Sequence, residues 1–413
     1  MRHNTSLAVA DSRSAILILG IVLGFLYAAA IVLSMAGVPR GDEVYHYAQI
    51  QLFRHGHWRV LDQYLTTIPG YHAVMALALR ATGLDSLGAA RAVNAAIGLV
   101  AAAGFLSLRR RLWPGTESLA TAQFLALPIL APLFFLVYTD VLALALILWG
   151  AVAMLADRHR WAALALLGVV LVRQNDVVWA ALFASVAAWP LLRDRGAAAL
   201  RELLLRLWPY AIPLGAFLAF WAWNGSISLS HGQAALHPLT LRLGNPFFTL
   251  LLAGMLFPLQ VLAGLRDCAA QMRARPWLLA LPAMGFALFW FGFHADNPYN
   301  GALPDFIPRN ALLLRLDGNS IWRAGAGVVM MVAACGLATT ALRPSGAWWL
   351  YPIAALFLAA SWLIEQRYAI VPLVLWLAVR EQRSRWIEIA TLALWLVLAV
   401  WIFMGVAAGR FFL

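Results

Sequence analysis

Apolar residues in this chain come in long unbroken runs separated by short polar breaks, with no strict alternation. Runs near twenty residues suit helices that cross a bilayer, because a helix satisfies its own backbone N–H and C=O groups. Spans are predicted at 14–36, 88–108, 118–137, 139–156, 161–173, 177–192, 208–224, 247–265, 277–293, 321–341, 347–363, 368–380 and 386–408. That is about 13 transmembrane helices, several of them short. Continuous runs exclude a closed β-barrel, whose strands alternate. The apolar stretch Tyr71–Gly83 is too short to span, and counting it as a span would invert every later loop. It is predicted as an interfacial or re-entrant helix. The run 14–36 has no small-residue cleavage site and reads as a retained first span rather than a signal peptide. The expected fold is an all-α polytopic membrane protein, one transmembrane unit over 1–413.

Composition agrees with this class. Hydrophobic residues make up 63% of the 413 and charged residues 12%, with mean hydropathy +0.79. An ordinary soluble domain is about a quarter charged. The formal net charge is +12, and all 30 basic residues are Arg. No basic domain is present that would grip nucleic acid. Arginines cluster in six loops: 109–111, 158–160, 193–206, 266–275, Arg343 and 380–385. With the spans above, all six share the side of the N-terminus, which the positive-inside bias makes cytoplasmic. The opposite segments are 37–87, 138–140, 174–176, 225–246, 294–320 and 364–367, rich in acids, His, Asn, Gln and Tyr. The first is expected to carry interfacial helices. Long polar loops such as 37–87 and 294–320 tend to be functional. Cys268 and Cys335 have no metal-site spacing and are not expected to pair.

The candidate chemistry lies in these opposite loops. Asp42 and Glu43 directly follow the first span. Reduced solvation at a membrane surface raises a carboxylate's basicity, and a carboxylate can take a proton from a sugar hydroxyl; a helix cap is the bland alternative. Tyr138-Thr139-Asp140 forms a tight hairpin, and Arg173-Gln174-Asn175-Asp176 interrupts another. Arg173 runs against the positive-inside bias, and a guanidinium suits a phosphate. His231 and His237 have no zinc spacing, so no metal or other cofactor is expected. The segment His294 to Asn300 suits carbohydrate hydroxyls, and Glu365-Gln366-Arg367-Tyr368 makes the last outer hairpin, with an internal ion pair as its bland reading.

Taken in order, these segments resemble the dolichyl-phosphate-glucose-dependent α-1,2-glucosyltransferase family of the N-glycan pathway. The residues that carry the likeness are Asp42, Glu43, Tyr45, His46 and Gln49, then Trp58, Asp62 and Thr66–Gly70. They continue with Tyr138-Thr139-Asp140, Arg173 to Trp179, Ala295-Asp296-Asn297, and Glu365, Arg367, Tyr368 and Pro372. The loop Ser228–Gln233 lacks the Asp of the family pattern. The resemblance implies a GT-C-like bundle and an inverting transfer of a hexose, glucose in the family, from a polyprenyl-phosphate-linked sugar to a glycan or lipid-linked acceptor. It implies Asp42 as general base, with Glu43 orienting or replacing it. Arg173 and Arg367 would bind the donor phosphate; His46, Asp140, Asp296, Asn297 and Tyr368 would bind sugar or position those groups. The exclusive use of Arg points to a bacterium, hence an inner membrane with the site facing the periplasm (the lumenal side of the endoplasmic reticulum in a eukaryote). A transporter or flippase of lipid-linked saccharides is the alternative, disfavoured because polar residues gather on one side and no internal repeat is visible.

Overall fold

A computed structural model describes residues 4–61, 63–238 and 240–412. Every regular element among them is helical, and β pairing is confined to an isolated bridge between Leu342 and Arg380. The chain is a multi-pass integral membrane protein. Five of its helices are long and apolar enough to cross a membrane: Leu87–Leu112, Gln174–Arg195, Leu200–Asn224, Ser320–Ala338 and Arg385–Ala407. Six further apolar helices are 10–17 residues long.

Two expected spans are broken, and proline is the cause of both breaks. The run 118–137 is a helix only over Glu117–Ala126; Pro128 and Pro132 then force a turn and a 3-10 segment, Ala131–Phe135. Proline lacks an N–H and disfavours helical geometry in the residue before it. Residues 127–136 are all buried, where irregular backbone is tolerated at membrane depth. Asn94 takes up the freed carbonyls, its side-chain amide donating to Leu133 O (2.9 Å) and Phe134 O (3.3 Å). The run 247–265 bends by 103° between Gly244–Leu256 and Pro258–Ala274. Trp395 Nε1 donates to the Leu256 carbonyl at the bend (2.6 Å). Arg266 and Arg273 therefore lie on a helix leaving the bend, not in a loop.

The six arginine clusters meet at one end. Arg109 donates to the carbonyls of Ala378 and Arg380, Arg343 stacks on Trp113 (4.2 Å), and Arg383 pairs with Asp267 (3.0 Å). Arg206 reaches Asp157 (3.5 Å), Arg160 lies over Trp208, and Trp189 meets Trp348. The polar segments gather at the other end. There the helices Glu43–Arg54 and Gly70–Thr82 pack together through Ile50, Phe53, Tyr71, Met75 and Leu79. Gly70 permits the close approach of the next layer, since a Cβ would lie 2.4 Å from Leu171 O. Gln174 ties the loops together: it accepts from Ile68 N–H (3.0 Å) and donates to Thr66 O and Ile227 O (2.7 Å each).

This two-ended arrangement predicts a labelling pattern. With both native cysteines replaced by Ser, a membrane-impermeant thiol reagent on intact cells should mark cysteines placed at the exposed positions Gln63 and Asp305, and miss one at Ala198. Labelling at Ala198 alone would reverse the orientation.

Candidate active site

Asp42 occupies the N-cap position of Glu43–Arg54, but its side chain makes no capping bond. Its backbone does that work instead, the carbonyl accepting from Tyr45 N–H (3.0 Å) and His46 N–H (3.1 Å). The Asp42 N–H donates to Tyr138 Oη (2.8 Å). Gly41 precedes it with φ +54°, and a Cβ there would strike Phe412 and the Tyr138 hydroxyl. The carboxylate, 49% exposed, is left to meet Arg367, whose Nη2 donates to Oδ2 at 3.1 Å.

Arg367 is the hub. Besides Asp42, its Nη1 lies 3.9 Å from Asp140 Oδ2, and its Nε donates to Glu365 Oε1 (2.7 Å). Arg173 pairs with Asp140 Oδ1 (2.5 Å) and Asp176 (3.4 Å), and Arg309 pairs with Glu365 (3.3 Å). Burial pushes Glu365 up, but Arg367 and Arg309 outweigh it and hold the carboxyl at about 2. Asp140, Arg173, Asp176, Arg367 and Tyr368 line one small cleft with Phe357, Ile370 and Val371. Asp140 Oδ2 is buried there without a hydrogen-bond partner. Buried acceptors are normally satisfied, and a substrate hydroxyl would fill that role. The cluster sets four carboxylates (Asp42, Asp140, Asp176, Glu365) against three guanidiniums (Arg173, Arg309, Arg367), so each guanidinium already faces at least one acid.

Glu43 is placed differently from its neighbour. It is fully buried, and Arg91 grips it in a bidentate fork (Nε to Oε1 2.9 Å, Nη2 to Oε2 2.5 Å). Val137 N–H and Arg40 N–H add bonds of 2.8 Å each. Both carboxylate oxygens are committed to these four donors, an arrangement suited to orienting the turn that carries Asp42. Arg91 also donates to the carbonyls of Ser34, Gly37 and Val38. The pair therefore fastens the end of the first helix and the broken segment beneath Asp42.

His46 packs edge-on to Tyr138, 5.6 Å away, and its Nδ1 shares a hydrogen bond with His72 Nε2 (2.9 Å). Burial first, then the positive charges of Arg367 and Arg173, lower its pKa from 6.5 to about 3. His46 is thus neutral in the fold and protonates in the unfolded chain below about 6.5, so its contribution to stability is present above that pH. It is lost progressively as pH falls from about 6.5 towards 3. The thermal midpoint should drop across that window, and His46→Gln should flatten the drop; an unchanged pH profile would remove His46 as its source.

Asp296 and Asn297 are not among the residues lining the cleft. Asp296 accepts from Trp362 Nε1 (2.7 Å) and faces Arg242 (3.4 Å). Asn297 is buried as the cap of Pro298–Gly301, its Oδ1 accepting from Tyr299 N–H and its Nδ2 donating to Leu236 O. Both ends of its side-chain amide are thus engaged within the fold, an arrangement suited to positioning the loop. Asp62 lies outside the described residues. The sequence reading missed Arg91, and noted Arg309 only as a member of the polar loop 294–320. A lone Arg within the apolar run 88–108 was the available signal for the first.

Residues 38–202 match the model of the DIE2/ALG10 family. The chain also resembles the Dol-P-Glc:Glc(2)Man(9)GlcNAc(2)-PP-Dol alpha-1,2-glucosyltransferase of Yarrowia lipolytica (strain CLIB 122 / E 150), 29% identical over 163 residues. That match covers 36% of this chain and 31% of the relative, so the chain spans about a third of the relative's length. Among solved structures, apo ArnT from Cupriavidus metallidurans aligns over 98% of this chain and 78% of its own, at 18% identity and a TM-score of 0.43. The same protein bound to undecaprenyl phosphate aligns over 96% and 78%, at 15% identity and 0.43.

Proposed function

We propose that this chain is a membrane glycosyltransferase of GT-C type that transfers a hexose, glucose by likeness, from a polyprenyl-phosphate sugar to an acceptor hydroxyl. The observation that carries the reading is the cluster itself. Asp42 and Arg367 are 325 residues apart in sequence and 3.1 Å apart in space, at the end opposite the arginine clusters and within reach of Asp140 and Arg173. By the positive-inside bias that end is non-cytoplasmic, the periplasmic face if the source is bacterial. Asp42, Asp140 and Arg173 lie within the segment 38–202 that matches the DIE2/ALG10 family model.

Asp42 accepts the proton of the acceptor hydroxyl as the acceptor oxygen bonds to the anomeric carbon of the donor. The bond from that carbon to the phosphate oxygen breaks on the opposite face, its electron pair leaving with the phosphate, so the anomeric configuration inverts. Arg367 couples the two ends of this displacement. Before reaction it balances the Asp42 carboxylate; as Asp42 becomes neutral, negative charge grows on the leaving phosphate, and the guanidinium's attraction transfers to it. Arg173, held by Asp140 and Asp176, supplies fixed positive charge to the same region, where preorganised donors are worth most. Asp140 Oδ2 offers an acceptor to a sugar hydroxyl, and His46 and Tyr368 shape the surround. The isoprenoid tail stays in the bilayer.

The test is purified protein with radiolabelled polyprenyl-phosphate glucose and a panel of acceptors, with and without EDTA. The label should pass to an acceptor with equal release of polyprenyl phosphate, and chelation should leave the rate unchanged, because the carboxylates already answer to guanidiniums. Movement of intact donor across liposomes without transfer would establish the transporter reading instead. Loss with EDTA, restored by a divalent cation, would recast Asp42 as a metal ligand.

A further inference from the structure

The helices Glu43–Arg54 and Gly70–Thr82 bring two imidazoles together. His46, one turn past Asp42, holds its Nδ1 2.9 Å from His72 Nε2. His72 lies in the first turn of its helix and is fully buried. Burial first, then the adjacent His46, lower its pKa well below 6.5, so His72 is neutral like its partner. A neutral imidazole has one N–H and one lone pair, so across this contact one ring donates and the other accepts. The surroundings of His72 decide which. Its other nitrogen, Nδ1, is enclosed and has no hydrogen bond of good geometry among the described residues. With Nε2 facing His46, the backbone group that acts on the ring is the Pro69 carbonyl, which favours a proton there. Proline has no N–H to offer to a lone pair. The proton of His72 therefore sits on Nδ1, and its Nε2 accepts from His46 Nδ1–H. The lone pair of His46 is then on Nε2. That atom has no hydrogen bond among the described residues and, unlike His72 Nδ1, is not enclosed.

We infer that His72 is a positioning residue: it holds His46 in the Nδ1–H tautomer, which leaves the His46 Nε2 lone pair free to accept a hydroxyl of the donor hexose. The hexose contact deepens the transferase reading and rests on it; the tautomer does not. His46 borders the cleft across Tyr138. It stands edge-on to that ring (5.6 Å), and Arg367 lies over the same ring (5.1 Å). The charges of Arg367 and Arg173 act on His46 and keep a second proton off it, so the lone pair stays available. Asp140 Oδ2 is likewise an acceptor without a partner. Together they would read a sugar through hydroxyls that donate. Packing fixes the pair. Tyr71 sits edge-on to His46 (6.3 Å) and His72 (5.5 Å) while its own hydroxyl donates to Asn94 Oδ1 (3.0 Å). His72 touches no reacting group; it acts through His46 alone.

Nitrogen-15 NMR of the full chain, labelled at histidine and reconstituted in lipid, reads the tautomer, with His46→Gln identifying the His46 signals. Wild type should show His46 with a protonated Nδ1 and a bare Nε2. His72→Phe removes the partner nitrogen at similar volume, and His46 should move to the Nε2–H form that a free neutral imidazole prefers. His72→Gln keeps an acceptor oxygen and should hold the wild-type tautomer. Wild type and the two His72 variants are then compared in binding undecaprenyl phosphate glucose and analogues with one hydroxyl replaced by fluorine, which cannot donate. Wild type should bind at least one analogue about 3- to 10-fold more weakly than the parent, the worth of one neutral hydrogen bond. For one analogue that loss should vanish in His72→Phe and return in His72→Gln. A proton on His46 Nε2 in the wild type would overturn the inference whether or not any variant folds. So would an unchanged tautomer in folded His72→Phe, a wild type indifferent to every fluorine, or losses that all survive in His72→Phe. The expected tautomers in a protein that binds no sugar donor would leave the positioning role standing and sink the transferase reading alone.

Discussion

Asp42→Asn lowers turnover by about 10²- to 10⁴-fold, the range that general-base assistance contributes. The substitution keeps size and one hydrogen-bond acceptor, so Arg367 still has a partner, while the proton sink is gone. The backbone bonds that hold the turn, from Asp42 N–H to Tyr138 and from its carbonyl to Tyr45 and His46, do not involve the side chain. The thermal midpoint should therefore change little, and donor affinity should stay near wild type. Single-turnover rates with saturating donor isolate the chemical step. A variant that turns over within a few-fold of wild type would take Asp42 out of the mechanism. A fall in donor affinity without a fall in the chemical step would make it a binding residue only.

Glu43→Gln has its large effect on stability instead. The carboxylate and the Arg91 guanidinium are both buried, joined by two hydrogen bonds, and two backbone N–H groups complete the carboxylate's shell. Removing one charge strands the other, which costs about 3–5 kcal/mol when a buried pair is broken. Thermal unfolding in detergent should show a large loss. Turnover per folded molecule should fall far less than for Asp42→Asn, because Glu43 acts by holding the turn. The double variant Glu43→Gln with Arg91→Met should recover part of the stability, since no unpaired charge remains. A turnover loss in Glu43→Gln exceeding that of Asp42→Asn at full stability would move the base to Glu43.

These two adjacent acids show where sequence reasoning stops. Local sequence placed both at the start of an outer loop, and nothing in Asp42-Glu43 distinguished them. The distinction comes from Arg91 and Val137 on one side and Arg367 on the other, 48, 94 and 325 residues away. Likewise, Arg367 and Glu365 were legible as an ion pair within one hairpin, but not as the junction of three loops. Asn297 belonged to a motif, yet its amide is spent capping a short helix.

What the sequence determined by itself was the class and the separation of the arginine clusters from the polar loops. Runs of apolar residues dictate helices because lipid offers no partner to a backbone, and arginines that resist crossing a membrane mark one end. Both are local properties, readable residue by residue. Tertiary structure decided which helices break and which polar groups meet. Pro128 and Pro258 announce a possible break, but the breaks persist because Asn94 and Trp395 arrive from other helices to satisfy the freed carbonyls. The charged cluster around Arg367 follows the same rule. A buried charge is tolerated only where an opposite charge is brought to it, and in this chain that partner is supplied by packing between helices rather than by neighbours in sequence.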